Sequence, residues 1–294
     1  MNRQEKLTAG TYRAVLAPYS IWALLFVIVP LLFVAYYAFT DNQFNFTTEH
    51  ITRFFTATSN LVGDDGTSTE VHTYLLIFLR SLKLAVISTL ICLLAGYPIA
   101  YIMSRAKAKV QKTMMTLIMI PMWMNFLLRT MAWQVLLEKN GIINGMLAGI
   151  GLPALNIINT PAAVILGMVY DYLPFMILPI YNALIKIDNN LIEAAYDLGA
   201  SKSLVFRKVI VPLSVPGIVS GVTMVFVPSL TTFAISNMLG GGKVNLIGNI
   251  IEQEFTASSN WNLGSGLSLV MMIFIVISMA FIEKFDRNGE GNMI

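Results

Sequence analysis

Long apolar segments alternate with shorter polar ones along this chain of 294 residues. Six of the apolar segments are close to the ~20 residues that a helix needs to cross a bilayer. The first is too long for a signal-peptide core, and no small-x-small cleavage site follows it, so we expect an uncleaved span. The pattern predicts an all-α membrane protein with six transmembrane helices, at about residues 16–39, 84–103, 114–136, 162–184, 215–233 and 267–282.

One long polar stretch, residues 186–216, interrupts the apolar pattern in the second half of the chain. A helix is predicted to begin after the side chains at 188–190, which can cap it. Its apolar residues recur at i, i+3, i+4 and i+7 and form one apolar stripe: Leu191, Ala194, Ala195 and Leu198. Gly199 is placed to end this helix. Ser201 can cap a second short helix, which Pro212 should end.

The connections between the spans differ in character. Residues 40–83 form the longest one, in which 58–69 are polar and contain glycine, so we expect a loop there. Residues 70–83 are predicted to form an amphipathic helix that leads into the second span. A further short helix is predicted at 142–150.

The composition supports a membrane protein. Apolar residues make up 56% of the chain and charged residues only 12%, whereas a soluble domain has about 25% charged residues. The net charge of +3 is small, and no basic stripe favours binding to nucleic acid.

Catalytic chemistry has little support in the sequence. Both histidines, His50 and His72, fall in the connection 40–83, and no cluster has metal-ligand spacing. There is no nucleophile–base constellation and no phosphate-binding loop. We therefore expect a protein that is not an enzyme, and any ATP hydrolysis must come from another chain.

The distribution of lysine and arginine predicts the orientation in the membrane, because cytoplasmic connections carry an excess of both. One set of connections has thirteen: Arg3, Lys6, Arg13, Arg105, Lys107, Lys109, Lys112, Lys186, Lys202, Arg207, Lys208, Lys284 and Arg287. The other set has five: Arg53, Arg80, Lys83, Lys139 and Lys243. Both termini and the 186–216 segment should therefore be cytoplasmic.

Two ionisable residues, Arg129 and Asp171, lie within predicted spans, where a charge costs about 2.5–3.5 kcal/mol on insertion scales. Asp171 lies between Tyr170 and Tyr172, an arrangement that suits an organic ammonium through charge pairing and cation–π contact. Pro174 would free a backbone carbonyl near Tyr170, and broken helices are common binding devices in transporters. The alternative is that Asp171 pairs with Arg129 and only joins two helices.

Trp123 and Asn125, in the third predicted span, could also line a substrate cavity. For Trp123, a place in the aromatic belt at the membrane surface is an equal alternative.

A specific motif lies in the 186–216 segment. Glu193-Ala194-Ala195, then Gly199, then an apolar tail ending in Pro212 resembles the cytoplasmic coupling loop of ATP-binding-cassette (ABC) importer permeases. From about Leu75 onward, the chain resembles the permeases of bacterial spermidine/putrescine importers. The resemblance rests on such stretches as PAAVILGMVYDYLPFMILPIYNALIKID, EAAYDLGASKSLVFRKVIVPLSVPGIVSG and NMLGGGKVNLIGNII.

The resemblance implies the type I ABC importer permease fold, with a cytoplasmic tail at 1–15 and a transmembrane permease domain at 16–294. It implies polyamine import into the cytoplasm of a bacterium by alternating access. The implied partners are a second permease subunit that completes a heterodimer, two ATPase subunits that bind ATP and Mg, and an extracytoplasmic binding protein met by loops around Asp64 and Glu252. No cofactor is implied in this chain. The residues implied to contact the ATPase are Glu193, Ala194, Ala195, Gly199 and Pro212.

Two alternatives remain at this stage. One is an ABC permease for another small solute, such as an aminoalkylphosphonate, an opine or ferric iron. The other is an ion-coupled carrier that needs no ATPase, which the motif in the 186–216 segment argues against.

Overall fold

The structure, a computed structural model, describes residues 16–62 and 68–291, and it describes no side chains for 61–62, 68–69 and 285–291. The predicted cytoplasmic tail 1–15, the loop residue Asp64 and the side chain of Arg287 therefore lie outside the described residues.

Most of the described chain is helical. The helices are α1 (Leu16–Ala38), α2 (Glu49–Thr56), α3 (Thr73–Arg105), α4 (Ala108–Trp123), α5 (Phe126–Leu137), α6 (Ile142–Gly149), α7 (Pro161–Leu184), α8 (Asn189–Asp197), α9 (Lys202–Leu213), α10 (Val215–Thr231), α11 (Ala234–Gly240), α12 (Ile247–Thr256) and α13 (Trp261–Gly291). Two strands, β1 (Thr58–Val62) and β2 (Ser68–His72), form an antiparallel pair.

The six predicted spans all fall on helices. Within the described residues, α1, α3, α7 and residues 261–284 of α13 are each long and apolar enough to cross a membrane. The pairs α4–α5 and α9–α10 pass the same test only when each bent pair is taken as one span. The structure therefore offers four to six membrane helices, in agreement with the predicted class.

The third predicted span, 114–136, is wrong as a single helix. Its two halves, α4 and α5, meet at an angle of 91° across Met124 and Asn125. Pro121 in the last turn of α4 removes a backbone donor. Asn125 then caps α5 by accepting a hydrogen bond from the Leu127 N–H at 2.8 Å. Hydropathy cannot show this break, because both halves are equally apolar.

The loop predicted at 58–69 is wrong for 58–62 and 68–69, which form strands, whereas 63–67 lie outside the described residues. The helix predicted at 70–83, leading into the second span, is confirmed from Thr73 onward. Thr58 pairs with His72 and Val62 with Ser68 in a hairpin, and α3 follows at once from Thr73. Both strands contain β-branched residues, which suit an extended backbone. The short helix predicted at 142–150 is confirmed by α6.

The described residues form two compact units, one drawn from 1–74 and 251–273 and the other from 75–250 and 274–294. In the first unit, Asn262 Nδ2 donates to the carbonyl oxygens of Tyr37 at 3.3 Å and Thr40 at 2.6 Å. These bonds hold the end of α1 against the start of α13. Asp41, just beyond α1, accepts from the backbone N–H of Asn45 and of Gln43. The bond from Asn45 leads in lowering the pKa of the Asp41 carboxyl.

The second unit is organised by a close contact between α7 and α10. A Cβ at Gly217 would lie 2.6 Å from Ala183 Cβ and 2.7 Å from the Pro179 carbonyl oxygen. A Cβ at Gly221 would lie 2.8 Å from Met176 Sδ. Small residues allow helix backbones to approach in a membrane, so these two glycines set the distance between α7 and α10.

We expect Gly217→Val to destabilise the protein, by about 1–3 kcal/mol or more, because the added side chain must push against the α7 backbone. Gly145→Ala is the matched control, since no atom lies within 4 Å of a Cβ at Gly145 in α6. Thermal unfolding of the two purified variants in detergent checks the pair. Equal unfolding temperatures for the two would contradict the close α7–α10 contact.

Candidate functional site

The 186–216 segment has the local structure that its sequence predicts. Asp188 Oδ1 accepts a hydrogen bond from the Asn190 N–H at 2.9 Å and caps α8. Gly199 follows with φ of +80°, a conformation that suits a residue without a Cβ. Ser201 Oγ accepts from the Leu204 N–H at 3.3 Å and caps α9. The two helices are therefore separated by a defined turn at 198–201.

The expectation that Pro212 ends the second helix is wrong. The backbone turns widely over Phe206–Ile210, with the Val211 N–H bonded to the Phe206 carbonyl, and it stays helical beyond Pro212. A wider turn gives room for a proline ring, which crowds the preceding turn of a regular helix. The change of direction instead comes between α9 and α10, where the axes bend by 60°.

The segment is fixed to the end of α3. Ile192 is the buried residue of α8, and it belongs to the core cluster that also contains Met103 of α3. Phe206 packs edge-on against the rings of Tyr97 and Tyr101, with centroids 6.0 Å and 5.3 Å away.

Two polar contacts add to this packing. Arg105 Nη1 donates to Asn189 Oδ1 at 3.3 Å, at the start of α8. Tyr97 Oη and Ser214 Oγ lie 3.0 Å apart, at the bend between α9 and α10. A displacement of the segment must therefore be shared by α3 and α10.

The apolar stripe of α8 faces away from this core. Leu198 is 89% exposed, Leu191 and Ala194 are exposed, and only Ala195 is partly buried. Glu193 is exposed as well. Beside the stripe lies an open depression of about 420 Å³, lined by Leu198, Gly199, Leu204 and Lys208 among others. Since exposed apolar surface of this kind marks interaction sites, the segment presents a surface suited to another protein.

Arg129 of α5 and Asp171 of α7 form a buried ion pair. Arg129 Nε lies 3.3 Å from Asp171 Oδ1, and the residues are 7% and 2% exposed. Thr130 Oγ1 donates to Asp171 Oδ2 at 3.1 Å and is also 2.9 Å from the Phe126 carbonyl oxygen. Arg129 Nε and Nη1 and Asp171 Oδ1 are buried without a hydrogen bond among the described residues. The charges are thus paired, but their hydrogen bonding is incomplete.

The other residues suggested for a substrate path are not gathered in one place. Tyr170 is 38% exposed and packs edge-on against Trp133, with ring centroids 5.4 Å apart. Tyr172 is partly buried and donates to the Pro228 carbonyl oxygen at 3.5 Å. Trp123 is 85% exposed, and Asn125 caps α5 as described above. The two tyrosines therefore do not enclose the Asp171 carboxylate.

The helix carrying these tyrosines is continuous. The break suggested at Pro174 is absent, because α7 remains helical through both Pro174 and Pro179. Whether any of these side chains contacts a substrate stays a prediction.

Sequence reasoning missed two residues of this site, Thr130 and Trp133. Thr130 follows Arg129 directly, and Trp133 stands four residues after it, so Arg129 and Trp133 share a helix face. This spacing was the available signal, but it needs the knowledge that α5 packs against α7.

Comparisons with known proteins agree on the kind of molecule. Residues 93–288 match the family described as "Binding-protein-dependent transport system inner membrane component". The spermidine/putrescine transport system permease protein PotB of Haemophilus influenzae is 38% identical over 281 residues, which is 92% of this chain and 93% of the relative. PotB of Escherichia coli K12 is 37% identical over 216 residues, which is 73% of this chain and 78% of the relative.

One solved structure shows the fold. A bacterial ABC transporter involved in the import of the acidic polysaccharide alginate superposes with a TM-score of 0.78, covering 97% of this chain and 98% of that one. At 17% sequence identity this likeness shows the fold alone, and it confirms the predicted type I ABC importer permease fold.

Truncating a side chain to alanine should affect protein stability differently on the buried and the exposed face of α8. Ile192→Ala removes a buried side chain and should destabilise the protein by about 2–4 kcal/mol. Leu198→Ala, the matched control one helix face away, should change stability by less than about 0.5 kcal/mol. Thermal unfolding of both variants tests the arrangement, and a larger loss for Leu198→Ala would show that the stripe, not Ile192, faces the core.

Proposed function

The chain belongs to the family of binding-protein-dependent transport system inner membrane components, and from that premise we propose that it is a permease subunit of an ABC importer for polyamines. It would form one half of a membrane pore. A separate ATPase, which holds ATP and Mg, would drive alternating access. In this proposal the 186–216 segment and both termini lie in the cytoplasm of a bacterium, as the distribution of lysine and arginine predicts.

The exposed apolar stripe of α8 is the observation that supports coupling to an ATPase. Leu191, Ala194 and Leu198 are apolar and exposed, although the helix that carries them is capped at both ends and anchored by Ile192. A rigid helix with an unoccupied apolar face suits docking into a complementary cleft. We assign the contact with the ATPase to Glu193, Ala194, Ala195 and Gly199. Pro212 would set the path of the chain that follows.

The contacts of the segment explain how docking would move the membrane helices. α7 enters the segment and α10 leaves it, and the two pack closely at Gly217 and Gly221. α3 is tied to the same segment through Phe206 and through Arg105. A force on α8 would therefore be transmitted to α3, α7 and α10 together.

The substrate class follows from the relatives. The chain is similar over 92% of its length to a spermidine/putrescine permease, and an alginate permease of the same fold is far less similar in sequence. We propose the exposed rings of Tyr170 and Trp123 as surfaces that line the path, because aromatic faces attract organic cations. A second permease, two ATPase subunits and an extracytoplasmic binding protein complete the proposed assembly.

Uptake of labelled putrescine and spermidine tests this function, in cells that lack their own importer and express the chain with its partner subunits. The wild type should take up both. Glu193→Arg should abolish uptake, because a reversed charge at the exposed stripe opposes docking. The absence of uptake by the wild type, with ATPase subunits still co-purifying, would refute the polyamine assignment. Uptake by this chain alone would refute the ABC assignment.

Gly199→Val tests the turn itself. Gly199 and Gly151 have φ of +80° and +75°, and a Cβ at either meets no atom within 4 Å. Valine at either position should therefore cost a similar backbone strain of about 1–2 kcal/mol. Only Gly199→Val should reduce co-purification of the ATPase and ATP-driven uptake. Equal losses in Gly151→Val would mean that strain, not the docking surface, causes the effect.

A further inference from the structure

A buried guanidinium is a difficulty for a path that carries polycations. Arg129 is fixed within the second unit beside α7, the helix that also carries the exposed ring of Tyr170. An uncompensated charge at about 10 Å from a passing cation, at an effective dielectric of about 20, would slow passage more than tenfold for each charge on the substrate. Something must cancel this field if the proposed function holds.

Asp171 is placed to cancel it. Its carboxylate lies 3.3 Å from Arg129 Nε, so the ionised pair has no net charge. The field of such a pair falls off with distance much faster than that of a single charge. Thr130 holds the second carboxylate oxygen at 3.1 Å and so fixes the orientation of Asp171. The Arg129–Asp171 pair is electrically neutral without a bound substrate.

The same geometry argues against direct contact with a substrate. Asp171 is only 2% exposed and is already engaged by Arg129 and Thr130, so its carboxylate presents almost no surface to a substrate. Tyr170, the neighbour of Asp171 in the chain, is 38% exposed and packs edge-on against the partly buried Trp133. In this proposal a polycation would meet the Tyr170 ring rather than the Asp171 carboxylate.

We propose that Asp171 makes the path passable to polycations by cancelling the charge of Arg129, without itself contacting the substrate. The inference rests on the proposed polyamine function and adds the residue pair that sets the charge selectivity of the path. Asp171 is in this sense a positioning and neutralising residue, not a binding residue.

This role has a signature that a structural role lacks. Electrostatic repulsion grows with the charge of the substrate, and at neutral pH putrescine carries two positive charges and spermidine three. If Asp171→Asn slows putrescine uptake about a hundredfold, it should slow spermidine uptake about a thousandfold, since the logarithm of the effect scales with charge. The ratio of the two uptake rates is independent of how much transporter folds.

The experiment measures this ratio in cells for the wild type, Asp171→Asn, Asp171→Glu and the double variant Arg129→Gln/Asp171→Asn. We expect the spermidine-to-putrescine ratio to fall in Asp171→Asn and to stay near the wild-type value in Asp171→Glu. The double variant should recover both uptake rates, because it buries no unpaired charge. Replacement of a whole buried pair is often tolerated, whereas removal of one partner is not.

Each contrary result has a distinct meaning. An unchanged ratio in Asp171→Asn would reduce the pair to a link between α5 and α7 and overturn the proposal. Loss of uptake in the double variant as severe as in Asp171→Asn would show direct substrate contact and also overturn it. If Asp171→Asn has no residual uptake, Arg129→Gln decides, since the remaining carboxylate should raise the ratio. No uptake by the assembled wild type would refute the polyamine function and this inference with it.

Discussion

The close contact between α7 and α10 is the constraint on which the rest of the second unit depends. α7 runs directly into the 186–216 segment and α10 runs out of it, so their contact fixes both ends of that segment. Only glycine at 217 and 221 lets the α10 backbone come so near Pro179 and Met176. A wider separation would pull the ends of the segment apart and detach Ile192 and Phe206 from the end of α3. The exposed apolar surface of the 186–216 segment is thus a consequence of the packing between α7 and α10.

This dependence explains why the apolar stripe can remain exposed. An isolated helix of nine residues is marginal in water, and α8 buries only Ile192 fully and Ala195 in part. Its remaining stability comes from the Asp188 cap, the turn at Gly199 and the contact of Asn189 with Arg105. Because these contacts use the helix ends, the sides of the helix stay available to a partner. The stripe that would be the buried face in a soluble protein is here the outer one.

The local features of the 186–216 segment were predictable because short-range chemistry determines them. The cap at Asp188, the left-handed turn at Gly199 and the cap at Ser201 all follow from side chains within three residues of their partners. The break at Met124 and the continuation through Pro212 depend instead on how neighbouring helices accommodate a proline. Hydropathy cannot separate a bent pair from one straight span. The pairing of β1 with β2 was missed because the polar residues of 58–69 suggested a loop.

The ion pair also depends on helix packing that the sequence does not reveal. The sequence placed Arg129 and Asp171 in membrane spans, but it left open whether they meet, because their meeting requires α5 to pack against α7. Once they meet, the burial of the pair favours the pairing role for Asp171, and direct contact with a substrate stays a prediction. A carboxylate that is 2% exposed and 3.3 Å from a guanidinium nitrogen cannot also serve an ammonium without leaving a buried arginine unpaired, a loss of about 3–5 kcal/mol.

α7 connects the two functional regions of the chain. About 20 Å of helix separates Asp171 from Leu184, where the 186–216 segment begins. Pro174 and Pro179 lie in this stretch, and each removes one backbone hydrogen bond without ending the helix. A helix weakened at two points bends more easily than a regular one. A displacement of the 186–216 segment would therefore reach the ion pair through a helix that can bend between them, so the pair could stay closed while the Leu184 end of α7 moves.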